Sequence, residues 1–285
     1  MLERRRGAGL NKRDMSYRQK IDPHNGLLNF KAGTALPGYW RYFPAAEFAP
    51  YIEHYWTVEW DLAEPALRET LPYPSAHIIL EGDVCALSGV STRKFSRMLA
   101  GRGRVLGVKF LPGGLRPFLT HAVSVYTDRV VPLPDVFGAA ARRLNTRALA
   151  HADHHAAFAV VEQFLRTLAP QPTAELAQAT AIAARIASDR DLRQAEQVAA
   201  LFDIGLRRLQ RLFGDYVGVS PKWLIRRYRL HEAAERLAHA VRVDWAQAAL
   251  DLGYADQAHF VRDFKRLIGK PPAEYFRALA PMPPG

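Results

Sequence analysis

Two similar stretches decide the fold: "VAALFDIGLRRLQRLF" (residues 198–213) and "AALDLGYADQAHFVRDF" (residues 248–264). In each, an alanine precedes a turn residue by four positions, and an amphipathic segment that ends in phenylalanine follows. The copies are offset by 50 residues at their alanines and by 51 at their final phenylalanines. Such an internal repeat predicts one supersecondary unit that is used twice.

Each stretch has the composition of two short helices joined by a tight turn, as in a helix-turn-helix. Ala199 and Ala249 are small enough to let the two helices approach closely. Gly253 suits a left-handed turn because it has no Cβ, and Asp203 is a tolerated second choice at the matching position. We therefore expect the same turn geometry in both units.

Helical periodicity divides each second helix into a buried arc and an outward face. The predicted buried residues are Leu206, Leu209, Leu212, Phe213 and Val217 in the first unit and Phe260, Phe264, Leu267 and Ile268 in the second. The predicted outward residues are Arg207, Gln210, Arg211 and Asp215 in the first unit and Ala258, Val261, Arg262, Lys265 and Arg266 in the second. Arginine binds guanine bidentately, glutamine binds adenine, and a helix fits the major groove, so these faces predict DNA binding.

The segment "SPKWLIRRYRLHEAAERLAHA" (220–240) lies between the units and predicts one long helix, with Ser220 as its N-cap and Pro221 at its first position. Its length of about 28 Å is close to the ~34 Å of one DNA turn, which would let both units enter the major groove from one side. We expect three of its side chains to contact phosphates or acidic neighbours: Arg226, Arg227 and Arg229.

The net charge of +11 lies mainly at the two ends of the chain. Residues 1–20 carry +5, residues 21–189 carry +1, and residues 190–285 carry +5. A basic C-terminal third indicates a polyanionic partner, because Lys and Arg displace the counterions that condense on phosphates. The alternative is an ordinary solvated surface. Residues 1–25 show no apolar periodicity and predict a basic disordered arm.

The N-terminal half has the alternating polarity of β-strands. "YIEHYWTVEW" (51–60) places Ile52, His54, Trp56, Val58 and Trp60 on one side and Glu53, Thr57 and Glu59 on the other. Residues 75–90 and 103–114 follow a similar pattern, which predicts a barrel or sandwich. From about 153 the period becomes helical, with Asp153 as a candidate N-cap, until "PQP" at 170–172 breaks the helix.

Composition excludes several classes of protein. No stretch approaches the roughly 18 apolar residues of a membrane span, and the N-terminus lacks the apolar segment of a secretory signal, so we expect a cytoplasmic protein with no membrane partner. The single cysteine, Cys85, excludes an internal disulfide and a cysteine-based zinc site.

On these residues, 173–279 resemble the DNA-binding domain of AraC/XylS-family transcriptional regulators. The resemblance rests on "LRRLQRLF", "VGVSPKWLIRRYRL" and "ALDLGYADQAHFVRDFK", with "GKPPAEYFR" after them. Two departures stand out: Gly205 replaces the usual serine cap, and "GKPP" replaces the usual Gly-x-Ser-Pro. The resemblance implies promoter DNA as the partner, and RNA polymerase as a further one.

The base-contacting positions that the resemblance implies fall on both second helices. With the neighbouring basic residues, the predicted DNA-binding set is Arg207, Arg208, Gln210, Arg211, Gln257, Ala258, Val261, Arg262, Lys265 and Arg266. The second unit has fewer hydrogen-bonding groups, so we expect it to contribute mainly phosphate contacts and methyl packing.

The N-terminal half resembles the cupin-like domain of one branch of the same family, through "GVKFLPGG" and "TDRVVPL". The resemblance implies a small-molecule effector site or a homodimer contact. The aromatics that would line such a pocket are Trp40, Tyr51, Tyr55, Trp56, Trp60 and Phe110, and the alternative is that aromatics at alternating strand positions simply form the core. A stripe on helix 153–169 is the candidate dimer surface, unless it packs on its own domain: Val160, Val161, Phe164 and Leu168.

No catalytic, metal or cofactor site is legible in the sequence. The domain's histidines, His54, His77 and His121, are scattered, and the cluster His151, His154 and His155 has no obvious fourth metal ligand. We therefore predict a non-enzymatic α+β protein. Its parts are an arm (1–25), a cupin-like, jelly-roll-type domain (26–150), a helix and linker (151–172), and an all-α domain with two helix-turn-helix units joined by a long helix (173–285). An architectural DNA-coating protein and a metalloenzyme with an attached DNA-binding module are the alternatives.

Overall fold

A computed structural model describes residues 19–20, 38–70, 73–237 and 244–279. An antiparallel β-sheet domain is followed by a helical domain, so the chain is α+β as predicted. The basic arm predicted at 1–25 lies outside the described residues, apart from a two-residue strand. None of the helices within the described stretches is long and apolar enough to cross a membrane.

Within the described residues, seven strands form one antiparallel sheet in the order β1-β2-β3-β6-β4-β5-β7. The strands are β1 (Gln19–Lys20), β2 (Gly38–Tyr42), β3 (Ile52–Thr70), β4 (His77–Glu81), β5 (Val84–Ser88), β6 (Phe95–Phe110) and β7 (Val130–Pro132). The long strands β3 and β6 pair along most of their length and form the centre of the sheet. Strands lie in all three predicted segments, but β6 begins at Phe95 rather than at Gly103.

Strand β3 is buried on both faces, which corrects the predicted one-sided pattern. Tyr55 and Thr57 are fully buried on the face that carries the main core, whereas Trp60 packs in a separate cluster on the opposite face. A register shift between Ile52 and His54 moves Ile52 into the main core, because a bulge resets the alternation of side chains. A period-two pattern alone could not show either effect.

Two tryptophans cover glycines of the neighbouring strand. Trp56 lies opposite Gly107 and Trp60 lies opposite Gly103, and a Cβ at either glycine would overlap the indole ring. The glycines of β6 therefore provide space for aromatic side chains across the strand pair. This packing explains the two glycines within a strand, where glycine is otherwise unfavourable.

Three helices follow the sheet: α1 (Leu133–Phe137), α2 (Leu144–Leu149) and α3 (His154–Thr167). Asp153 caps α3 as predicted, because its side chain accepts a hydrogen bond from the amide of Ala156. The stripe of α3 packs on the domain's own core, where Val161 is fully buried and Phe164 is 6% exposed. Of the two alternatives for this stripe, a dimer surface or packing on its own domain, the structure shows packing on its own domain.

The described part of the second half contains seven α-helices: α4 (Ala174–Ser188), α5 (Ala195–Leu201), α6 (Leu206–Leu212), α7 (Pro221–Leu237), α8 (Trp245–Asp251), α9 (Gln257–Ile268) and α10 (Pro272–Leu279). A π-helical turn, Phe213–Val217, continues α6. Helices α4 to α7 enclose one core, and α7 to α10 enclose a second. Leu224 and Ile225 of α7 belong to the first core and Leu230 to the second, so α7 joins the two units.

The π-helical turn after α6 also contacts the sheet domain. Arg116 donates a hydrogen bond to the Asp215 carboxylate at 2.8 Å, and the Thr127 hydroxyl donates to the Gly218 carbonyl at 2.6 Å. Val90 of the sheet domain packs within the first helical core. Asp215, predicted to face outward, therefore lies at the junction of the two domains.

Candidate nucleic-acid interface

The two turns have the same backbone geometry. Asp203 has a φ of +48° and Gly253 a φ of +78°, so both lie in the left-handed region. The next amide donates to the carbonyl of the paired alanine in each unit, from Ile204 to Ala199 and from Tyr254 to Ala249, both at 3.0 Å. The sequence repeat therefore corresponds to a structural repeat, and the predicted role of the turn residues is confirmed.

In the first unit, the predicted buried arc of α6 faces the core. Leu209 and Phe213 are fully buried, Leu212 is 7% exposed, and Leu206 is half-buried. Gly205 occupies the N-cap position and makes no side-chain capping bond, as the departure from the family pattern implied. The opposite face carries only exposed residues of the predicted set: Arg207, Arg208, Gln210 and Arg211.

In the second unit, α9 begins after Asp256, whose carboxylate accepts a hydrogen bond from the His259 amide at 2.7 Å. Phe260 and Phe264 are fully buried, and their rings contact each other with centroids 5.6 Å apart. The side chain of Leu267, predicted to be buried, lies outside the described part of the structure. Of the six α9 residues in the predicted set, Val261 is half-buried. The other five are exposed: Gln257, Ala258, Arg262, Lys265 and Arg266.

An ion pair of Asp263 connects α9 to the connecting helix, α7. Its carboxylate lies 3.0 Å from an Arg266 guanidinium nitrogen, 3.5 Å from Arg226 of α7 and 3.7 Å from the His259 ring. Arg226 also lies over the ring of Tyr254, 5.7 Å from its centroid. These contacts orient α9 relative to α7 and hold the Arg266 side chain at one edge of the exposed face.

The arginines of α7 only partly follow the prediction. Arg226 contacts an acidic neighbour, Asp263, as expected. Arg227 and Arg229 are each 2% exposed and so do not form a phosphate-contacting surface. Arg229 donates to the carbonyls of Ile186 and Asp189 at 2.6 and 2.7 Å, and so satisfies the C-terminal end of α4. Burial lowers the pKa of Arg227 to about 9.

The N-cap prediction for α7 is confirmed by the hydrogen bond from the Trp223 amide to the Ser220 hydroxyl, at 3.2 Å. The described helix has 17 residues, which corresponds to about 25 Å at ~1.5 Å per residue. Residues 238–243, which include the predicted end of the helix at 240, lie outside the described residues.

The aromatic residues proposed as an effector pocket do not line one cavity. Tyr51, Tyr55 and Phe110 pack in the main core, whereas Trp56 and Trp60 lie on the opposite face of the sheet. Trp40 packs at the margin of the main core. The structure therefore supports the alternative, in which these aromatics form core packing, because strand alternation places them on two faces of the sheet.

The histidines have structural partners. His154 lies 2.6 Å from the Tyr42 hydroxyl and 2.8 Å from a Glu59 carboxylate oxygen. The Trp56 indole donates to His77 at 3.2 Å, and burial lowers the pKa of His77 to about 3. In the stretches that the structure describes, no three His, Cys, Asp or Glu side chains are grouped so that they could hold a metal ion.

The contacts that join the domains were not predicted from sequence. Arg116 and Asp215 are 99 positions apart and belong to different domains, so neither helical nor strand periodicity relates them. Arg229 has the charge of a surface residue but the position of a core residue. Its position four residues after Ile225, on the same apolar face of α7, was the available signal.

Two family models match the chain. Residues 198–278 match a model described as a helix-turn-helix domain, which contains both turns and both exposed faces. Residues 40–132 match a domain of unknown function (DUF6597), which spans most of the sheet.

Among known proteins, an uncharacterized HTH-type transcriptional regulator of Haemophilus influenzae is 31% identical over 85 residues, or 30% of this chain. The match spans 28% of that relative's length. Crystal structures of ToxT from Vibrio cholerae are also similar. An apo variant covers 79% of this chain and 98% of its own, at 13% identity and a TM-score of 0.38, and the P21 form has 11% identity and a TM-score of 0.39. Scores this low support no statement about a ligand of this chain.

Proposed function

We propose that the chain is an AraC-type transcriptional regulator rather than an enzyme, and that α6 and α9 bind two adjacent major-groove segments of promoter DNA. A helix-turn-helix domain match over residues 198–278 and the similarity to an HTH-type regulator support this proposal. The observation that carries this proposal is the repeated unit. Two turns of equal geometry each present one helix with cationic and amide side chains exposed and phenylalanines buried.

The two recognition helices, α6 and α9, differ in chemistry. Three arginines and a glutamine are exposed on α6, which suits bidentate contacts to guanine and adenine edges. Helix α9 exposes Ala258 and presents Val261 half-buried, beside the cations Arg262, Lys265 and Arg266. We therefore assign most base discrimination to α6, and phosphate contacts with methyl packing to α9.

The connecting helix sets the distance between the recognition helices. Because α7 contributes side chains to both helical cores, the two units are held by one continuous element of about 25 Å. This spacing is compatible with two contacts about one helical turn of DNA apart. The target is accordingly an asymmetric site, read by two different helices of one chain.

The sheet domain is proposed to control DNA binding, through an effector or through dimerisation. Its contact with the turn after α6, through Arg116 and Asp215, gives a direct route to the first recognition helix. The boundaries proposed for the two domains remain 26–150 and 173–285, with 151–172 between them. A cytoplasmic location and contact with RNA polymerase belong to the same proposal.

The test is selection of binding sites from random double-stranded DNA by the full chain, followed by affinity measurements on the enriched site. We expect an enriched motif and strongly salt-dependent affinity, because several phosphate contacts each release counterions. The Arg211→Ala variant should lose about 1–3 kcal/mol of binding free energy on the preferred site and relax one base preference. Arg142→Ala, an exposed arginine in the sheet domain, is the matched control and should bind as the wild type.

Selection also separates the proposal from an architectural DNA-coating role. A coating protein would bind with high affinity but enrich no motif. Uniform weakening of Arg211→Ala on every sequence would make this residue a phosphate contact, and the assignment of base discrimination to α6 would be wrong.

A further inference from the structure

A cationic cavity of about 230 Å³ lies where the sheet domain, α7 and α9 meet. One wall comes from Thr92 of the sheet domain, and the others come from the N-terminal half of α7 and from α9. Arg211 and Arg262 do not line the cavity, whereas Arg266, at one edge of the exposed face of α9, does. This volume is well above the roughly 10–15 Å³ that a single water molecule needs, so the cavity has room for a larger polar group.

The charge of the lining is strongly positive. The cationic lining residues are Lys222, Arg226, Arg227 and Arg266. Asp263 is the one carboxylate among the lining residues, and it already contacts Arg226 and Arg266. A concave site with low-dielectric walls and an excess of one charge concentrates counterions of the opposite sign.

The donors suit an anion with several oxygens. Arginine presents planar N–H groups that bind carboxylate or phosphate oxygens bidentately, and Lys222 adds a flexible ammonium group. Ser220 lies in the same lining at the N-terminal end of α7, where the helix dipole favours negative charge. The Thr92 hydroxyl contributes no free donor, because it already donates to the Asp128 carboxylate at 2.6 Å. Burial that lowers the pKa of Arg227 would be offset by a bound anion.

We propose that this cavity binds a small polyanion, a phosphorylated or polycarboxylate metabolite, and that the bound ligand links α9 to α7 and to the sheet domain. A DNA phosphate is the less suitable occupant, because Arg227 is only 2% exposed and Thr92 closes one side. A duplex backbone does not reach a side chain buried to that extent. The regulatory meaning of the site rests on the proposed DNA-binding function, but binding of the anion does not.

The test is isothermal titration of the full chain with inorganic pyrophosphate in the absence of DNA, at constant ionic strength, with citrate in a parallel experiment. We expect one saturable site per chain, and the two titrations compare phosphate with carboxylate chemistry. Lys222→Gln and Arg226→Gln should each weaken binding about tenfold, as expected for loss of a charged hydrogen-bond donor. Arg142→Gln, which removes a cation outside the cavity, should leave binding within about twofold of the wild type.

Circular dichroism shows whether each variant is folded. Because Lys222 is exposed, Lys222→Gln removes a charge without disturbing a hydrophobic core. The proposal is overturned if neither anion binds saturably, or if all three variants weaken binding equally. It is also overturned if pyrophosphate and citrate fail to bind while Lys222→Gln and Arg226→Gln reduce the affinity for DNA. In that case the two cations contact DNA rather than a small anion. Failure of DNA binding with normal pyrophosphate binding would contradict only the proposed function.

Discussion

Gly253→Ala is the substitution that tests the turn geometry most closely. The φ of +78° is strained for any residue with a Cβ, at a cost of roughly 1–2 kcal/mol. The new Cβ would also lie 3.3 Å from the Arg193 Cβ, a tight contact that adds to the cost. We therefore expect the second turn to lose at least ~1–2 kcal/mol of local stability, which corresponds to roughly 5- to 30-fold.

Amide hydrogen exchange measures this loss at a single bond. The Tyr254 amide donates to the Ala249 carbonyl within the turn, and its exchange should accelerate by that factor in Gly253→Ala. The Ile204 amide makes the same bond in the first turn and serves as the internal control. The reverse change, Asp203→Gly, relieves a residue with a φ of +48° and should slow exchange at Ile204 by a few-fold. Unchanged exchange at Tyr254 in Gly253→Ala would refute the left-handed turn.

Three further substitutions test the packing around the helices. Arg229→Ala removes two charged hydrogen bonds to the end of α4 and should lower the free energy of unfolding by about 3 kcal/mol in urea denaturation; a loss below about 1 kcal/mol would contradict that capping role. His77 keeps a pKa of about 3 in the fold against an ordinary 6.5, so the unfolded chain takes up a proton first as the pH falls. The free energy of unfolding should therefore decrease by about 2 kcal/mol between about pH 7 and about pH 5. The His77→Gln variant should lack this decrease. An unchanged pH dependence in the variant would show that His77 does not cause the decrease. A double-mutant cycle on Arg116 and Asp215, both partly exposed, should give a coupling of about 0.5–1 kcal/mol, and a value near zero would show that this contact does not hold the domains together.

The helical half was predictable because its signals are local. A turn residue four positions after an alanine, and apolar residues three and four apart, define a unit within about 16 residues. The structure confirms the turn conformations of Asp203 and Gly253 and the burial of Phe260 and Phe264. All of these depend on contacts within one unit, where sequence spacing fixes the geometry.

The sheet domain was predicted less well because its faces depend on partners distant in sequence. Tyr55 is buried against α3, 107 positions further along the chain at Glu162, and the bulge near His54 cannot be recognised from the polarity pattern. The charge of Arg229 led to a wrong prediction for the same reason. It predicted a phosphate or acidic partner, but the side chain donates to a carbonyl of another helix. Long-range burial of polar residues needs the tertiary structure.

The candidate site has features of both kinds, some set by local sequence spacing and some by long-range packing. The exposure of Arg207, Arg211 and Arg262 follows from helical periodicity, so the sequence alone predicts these two faces. The cavity beside Lys222 could not, because it requires α7, α9 and the sheet domain to converge. Sequence spacing locates faces of single helices, and cavities between elements follow only from packing.

The central claim is that α6 and α9 contact two separate segments of one DNA site. Its most direct test is to measure the affinity of the wild type, Arg211→Ala and Arg262→Ala for a selected site in which each base pair is changed in turn. The account predicts that each variant loses discrimination, or contact, over its own segment, with the two segments about 10 base pairs apart. If both substitutions affected the same base pairs, or if only one segment mattered, the chain would not bind DNA through two recognition helices.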